Sequence, residues 1–132
     1  MPSEQQSITE VTSAYSTLFD LADPALAPKL AVVQDGPQLR SLVQSALSSS
    51  LAKSAAGARV LSVKIDQGSQ CAAEQLTSPC AAVSYQVLAP SGKPLLAQPF
   101  SGWALYGGGH WLVAKGTVCG LLGLVIPGAK GC

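Results

Sequence analysis

The spacing of the apolar residues changes once along this chain, near Gly57, and this change constrains the fold more than any other feature. Before Gly57, apolar residues recur every three or four positions, the period of a helix with one buried face. After it, they alternate with polar residues, the period of a strand with one buried face. Helices followed by strands predict an α+β domain whose helices cover one face of a curved antiparallel sheet of about four strands.

Three helical segments are predicted before Gly57. A capping box of Ser7 and Glu10 begins the first helix. A short, broken second helix covers 26–34, and Pro37 opens the third. The apolar stripe of the first helix consists of Ile8, Val11, Tyr15, Leu18, Phe19 and Ala22.

Four strands are predicted after Gly57, with the second at 81–88, the third at 95–106 and the fourth at 110–118. Turn residues at 90–93 and the three glycines at 107–109 join the last three strands into hairpins. The inward side chains of the first two strands are predicted to be Leu61, Val63, Ile65, Val83, Tyr85 and Val87.

Length and composition favour one folded domain over 1–132, because 48% of the residues are hydrophobic and only 11% are charged. Residues 1–6 are expected to be disordered, and the tail at 119–132 to be tethered by a disulfide. The net charge is +1 and the eight basic residues are scattered, so neither nucleic acid nor anionic lipid is an expected partner. The apolar run at 118–127 is too short for a membrane span. Residues 1–7 are polar, so any export signal is expected upstream of them.

The four cysteines, Cys71, Cys80, Cys119 and Cys132, carry the argument about compartment. They allow three pairings, and the local ones, Cys71–Cys80 and Cys119–Cys132, are favoured. Disulfides place the protein outside the cytosol. Reduced structural thiols are the alternative, and the spacing does not suit a zinc site. No pattern predicts a metal or another cofactor.

Two sequence patterns suggest catalysis, and neither has the companions it needs. Ser50 and Lys53 match the S-x-x-K of serine β-lactamases, but the accompanying S-D-N and K-T-G motifs are absent. His110 follows a glycine turn and has no nearby acid or nucleophile in the sequence. The sequence therefore predicts a protein that is not an enzyme.

Three segments carry a family resemblance: Tyr-x-x-Leu-Phe-Asp at 15–20, Lys-Leu-Ala-Val-Val-Gln-Asp-Gly at 29–36, and Gly-His-Trp-Leu-Val-Ala-Lys-x-Thr-Val-Cys-x-Leu-Leu at 109–122. Here the chain is similar to the low-molecular-weight secreted antigens of mycobacteria, whose domains resemble the cone-shaped nuclear transport factor 2-like superfamily. The resemblance implies a cone-like α+β domain that is exported or held outside the membrane. Its motifs are structural and imply no particular chemistry.

The expected function is binding or protein interaction outside the cytosol. The stripes of the first helix and second strand should meet, and Tyr15, Phe19 and Tyr85 would then line a mostly apolar pocket. Its occupant would be a protein partner or an apolar small molecule, and homodimerisation is a further option. By analogy with cone-shaped isomerases and dehydratases, an enzyme would instead pair a pocket tyrosine with Asp20 or Asp66.

Overall fold

The computed structural model describes residues 2–66, 69–77 and 79–125, and it confirms the α+β order of the elements. The sheet is antiparallel, in the order β1-β2-β3-β4. The helical half comprises α1 (Glu4–Phe19), α2 (Leu26–Ala31), a 3-10 helix (Gly36–Leu39), α3 (Arg40–Ser48) and α4 (Leu51–Ser54). The remaining elements are β1 (Ala58–Asp66), α5 (Ser69–Ala73), β2 (Cys80–Val87), β3 (Phe100–Gly107), β4 (His110–Val113) and α6 (Lys115–Val125).

Helix α1 begins earlier than its sequence predicts. The capping box is formed by Ser3 and Gln6, not by Ser7 and Glu10, so the helix begins within the segment 1–6 for which disorder is expected. Both pairs fit the capping pattern, and the upstream pair adds a further helical turn. The Glu10 side chain instead accepts a hydrogen bond from the backbone nitrogen of Trp111, at 3.3 Å, and so joins α1 to β4.

The sheet curves around α1, which packs against both edge strands, β1 and β4. Val11, Tyr15, Leu18 and Phe19 of the predicted stripe are buried, as expected. Ile8 is only half-buried and Ala22 lies beyond the end of the helix, so the stripe is shorter than its sequence pattern. Curvature leaves a volume between α1 and the middle strands that large side chains must fill.

Strand β1 contains a bulge that changes which residues point inward. The pairing with β2 shifts between Val60 and Ser62, so Leu61 is the extra residue and is 48% exposed. The prediction that Leu61 faces inward is therefore wrong, and Val60 takes its place against the core. One inserted residue reverses the inward and outward alternation on one side of the bulge, which explains the change of phase.

The second half of the sheet is shorter than predicted. Strand β3 begins at Phe100, and the preceding Leu95 and Leu96 are exposed. Strand β4 ends at Val113, where the predicted strand to 118 and tail from 119 are replaced by α6. An apolar run without alternation fits a strand or a helix equally well, so its period could not decide between them.

The two tryptophans occupy opposite faces of the sheet. Trp111 is buried among the helices in the main core, whereas Trp103 is half-buried on the outer face. There it contacts a small second cluster that includes Cys71, Cys80 and Leu105. The loop between β1 and β2 covers this cluster, so the sheet carries apolar residues on both faces.

The predicted Cys71–Cys80 disulfide is confirmed, with 5.7 Å between its Cα atoms. Both cysteines are buried, and a buried disulfide indicates an oxidising, extracytoplasmic setting. The second predicted bridge involves Cys132, which lies outside the described residues, so it stays a prediction. Within the described part of the chain, no helix is both long and apolar enough to cross a membrane.

Candidate functional site

An aromatic cluster occupies the space between α1 and the middle of the sheet. The rings of Tyr15 and Tyr85 lie 4.8 Å apart, and Phe19 stacks on Tyr85 at 5.4 Å. Phe100 extends the cluster along β3, with its ring 5.7 Å from that of Tyr85. The predicted meeting of the stripes of α1 and β2 is therefore confirmed. Tyr15 and Tyr85 lie on the same side of the sheet, and both are almost completely buried.

The hydroxyl of Tyr15 holds three elements together. It donates to the carbonyl oxygen of Trp103 in β3 at 2.9 Å. The backbone nitrogen of Trp103 donates to the Thr117 hydroxyl of α6, also at 2.9 Å. Because β4 has already ended here, the Thr117 side chain satisfies a β3 donor that would otherwise lack a strand partner. Tyr15 is therefore a structural anchor for α6 and does not line either of the cavities described next.

An apolar pocket of about 240 Å³ lies between the last residue of α1, the end of β2, the start of β3, and α6. Of the three predicted binding residues, only Phe19 lines it. Every lining residue in the described part of the chain is hydrophobic, and Leu96 is 56% exposed. This apolar pocket is lined by Phe19, Leu21, Ala55, Val87, Leu95, Leu96, Phe100, Leu121 and Leu122.

A second cavity of about 180 Å³ adjoins the apolar pocket. Phe100 and Leu121 line both spaces, so the two spaces are adjacent at these side chains. The second cavity is more polar, because hydroxyl-bearing residues and backbone contribute to its surface. It is lined by Tyr85, Phe100, Ser101, Gly116, Thr117, Gly120 and Leu121.

Sequence reasoning missed most of the pocket wall. Leu95 and Leu96 were placed in a strand, although Pro94 and Pro99 flank them. Prolines at both ends argue against a paired strand, and this signal would have identified an exposed apolar loop. The contribution of Leu121 and Leu122 depends on α6, which the sequence pattern did not distinguish from a strand.

Neither of the two carboxyl groups named for the enzyme alternative is hydrogen-bonded to a tyrosine in the described part of the chain. Asp20 forms the C-cap of α1, and its backbone pairs with that of Ala56. The Asp66 carboxylate accepts a hydrogen bond from the backbone nitrogen of Gln70 at 3.0 Å, at the start of α5. Among the described residues, no carboxylate is hydrogen-bonded to Tyr15 or Tyr85. The geometry therefore gives no support to the pairing of tyrosine and carboxyl that the enzyme alternative requires.

Both tyrosines stay protonated under ordinary conditions. Burial raises the pKa of Tyr15 well above its ordinary value; the neighbouring Tyr85 adds to the rise, and a hydrogen bond with Thr117 opposes it. Burial also raises the pKa of Tyr85 to about 12. A neutral phenol donates a hydrogen bond but does not act as a base near pH 7, so these residues suit binding better than proton abstraction.

The different environments of the two hydroxyls predict different effects of their removal. We expect Tyr15→Phe to lower the free energy of unfolding by about 1 kcal/mol, because it breaks a buried hydrogen bond to Trp103. Tyr85→Phe should change it by less than about 0.5 kcal/mol, because no bond to the protein is lost. Urea unfolding of both variants measures the contrast. Equal losses would contradict the assignment of a structural role to Tyr15 alone.

Comparison with known proteins returned no relative: no family model matches the chain, and no match was found among curated proteins or solved structures.

Proposed function

We propose that this protein is a non-enzymatic binding domain whose ligand places an apolar group in the apolar pocket. The observation that supports the proposal most is the wall of the pocket, which consists entirely of hydrophobic side chains. Water finds no hydrogen-bond partner on an apolar wall. An apolar guest, in contrast, gains free energy when its surface leaves bulk water. At about 240 Å³ the pocket is larger than the ~150 Å³ apolar cavity that is known to hold benzene.

We further propose that the domain acts outside the cytosol as a secreted or envelope-associated protein. The buried Cys71–Cys80 disulfide supports this setting. The resemblance to the low-molecular-weight secreted antigens and to the cone-shaped superfamily also remains a proposal. It is supported by the order of helices and strands and by the curved sheet around α1.

The exposed leucines at the mouth favour a second candidate occupant, an apolar side chain of a protein partner. Leu95 and Leu96 are 38% and 56% exposed, and both line the pocket. Large exposed apolar residues beside a pocket are typical of protein interaction sites. Both occupants would contact the same pocket wall. Binding experiments with small molecules and with hydrophobic peptides are therefore needed to distinguish them.

A pair of matched leucine variants tests the pocket. We expect Leu96→Asp to weaken binding of n-nonane by about tenfold, because it removes apolar contact and places a charge at the mouth. Leu61→Asp is the control, since Leu61 is similarly exposed but lies on the β1 bulge, outside the pocket. Methyl chemical shifts of the protein during titration report the affinity.

If n-nonane shifts no methyl group of the pocket in the wild-type protein, the small-molecule proposal is wrong. Binding of a leucine-rich peptide under the same conditions would then favour the protein partner. Equal weakening by Leu96→Asp and Leu61→Asp would show that binding occurs on the general surface instead of in the pocket.

A further inference from the structure

The second cavity is lined by a buried tyrosine whose hydroxyl has no hydrogen-bond partner among the described residues. Tyr85 is only 1% exposed and lines this cavity. Its hydroxyl forms no hydrogen bond with any residue of the described part of the chain, in contrast to that of Tyr15. Unpaired side-chain atoms that are sealed from solvent occur in Ser7 and Trp111 of the described residues, and the Tyr85 oxygen is not one of them. The oxygen is therefore accessible to solvent, and the second cavity is the space that its residue lines.

A buried phenol that has no partner among the described residues favours a guest that accepts a hydrogen bond. Leaving such a donor unsatisfied carries a free-energy penalty, and a guest with a suitable oxygen removes it. The neighbouring Thr117 hydroxyl is already engaged twice, because it accepts from the backbone nitrogen of Trp103 and forms a hydrogen bond with Tyr15.

The rest of the cavity wall limits the guest to an uncharged group. None of the described lining residues is charged. A carboxylate or ammonium entering the cavity would lose water without gaining a counter-charge, and this desolvation is unfavourable. Gly116 and Gly120 also line the cavity, and neither has a side chain that would take up space there.

The two spaces lie side by side, with Phe100 and Leu121 lining both. We infer that the ligand is an uncharged amphiphile, whose apolar end occupies the apolar pocket while its polar end accepts a hydrogen bond from the Tyr85 hydroxyl in the second cavity. This inference rests on the proposed function, because it takes the apolar pocket as the site of the tail. Medium-chain ketones, esters and alcohols belong to this class of ligand, and fatty acids in their ionised form do not.

Three probes, each with nine carbon atoms, distinguish binding of the apolar tail from binding of the polar end. We expect the wild-type protein to bind 2-nonanone about threefold to tenfold more tightly than n-nonane, which is the effect of one hydrogen bond. Nonanoate at pH 8 should bind more weakly than 2-nonanone, because its charge has no partner in the cavity. Titrations followed by methyl chemical shifts give all three affinities.

Two variants test whether the second cavity produces this preference. Tyr85→Phe should reduce the affinity for 2-nonanone to that for n-nonane and leave n-nonane binding unchanged. Gly120→Leu should have the same effect, since it adds a large side chain at a residue that lines the second cavity, on a helix that tolerates leucine. Thermal melting of both variants checks that they are folded.

The possible outcomes distinguish the two proposals. If n-nonane binds but 2-nonanone binds no better, the inference about the polar end is wrong and the apolar pocket stands. The same conclusion holds if Tyr85→Phe leaves the ketone preference intact, or if nonanoate binds most tightly. If neither n-nonane nor 2-nonanone binds, the proposed function itself is wrong and the inference falls with it.

Discussion

Replacing Gly36 with alanine is expected to destabilise the protein by about 3 kcal/mol, which corresponds to a fall of about 10 °C in Tm. A Cβ atom at this position would overlap the carbonyl oxygen of Leu30 and lie 2.8 Å from its carbonyl carbon. Both are backbone atoms of α2, so rotation of a side chain cannot relieve the overlap. Either α2 or the 3-10 helix that begins at Gly36 must shift, and both pack against α3.

Gly107→Ala is the matched control for this substitution. Gly107 ends β3, and an added Cβ atom there would meet nothing within 4 Å. We expect its free energy of unfolding to stay within about 0.5 kcal/mol of the wild-type value. Urea unfolding of the three proteins provides the comparison, and similar stabilities for Gly36→Ala and Gly107→Ala would refute the close approach of Gly36 to Leu30.

Removal of the Cys71–Cys80 disulfide is the second change with a large expected effect. The bridge closes a short loop, with a sequence separation of 9, and its loss should lower the free energy of unfolding by about 3 kcal/mol. Part of the loss comes from the unfolded chain, which gains freedom when the loop is open. The rest comes from the outer cluster, where the disulfide packs beside Leu105 and half-buried Trp103. Urea unfolding of the Cys71→Ala, Cys80→Ala double variant measures it.

A reducing agent provides the control for the double variant and also tests the second predicted bridge. Reduction of the wild-type protein should destabilise it at least as much as the double substitution does. If Cys119 and Cys132 are also joined, reduction should destabilise the double variant further. A double variant that is as stable as the wild type would show that the first bridge contributes nothing to the fold.

Local pattern was enough to predict the elements whose residues interact mainly with their own neighbours. The change of period at Gly57 predicted helices before strands, because the two backbone conformations repeat differently along the chain. The second strand, with Val83, Tyr85 and Val87 on its inner side, was predicted correctly because its alternation is unbroken. The nearer disulfide was predicted because a short loop between two strands brings its cysteines together at little entropic cost.

Prediction failed where a residue's position depends on partners that are distant in the chain. The inward residue of β1 depends on how that strand pairs with β2, and the bulge at Val60 and Ser62 reversed the expected phase. The left-handed backbone after α2 lies at Asp35, so the glycine that follows it is not needed for a positive φ. The glycine at position 36 is required by the approach of Leu30, which no local pattern reveals.

The candidate site shows the same division. The sequence by itself determined that Tyr15, Phe19 and Tyr85 belong to stripes that face each other, because helical and strand periods place them on single faces. Only the tertiary structure decided that Tyr15 is anchored to Trp103, that Phe19 lines the apolar pocket and that Tyr85 faces the second cavity. These environments depend on α6, which begins where β4 ends and contributes Leu121 to the lining of both spaces. Cavities are the volume that packed elements leave unfilled, so they are properties of the assembled fold and not of any one segment.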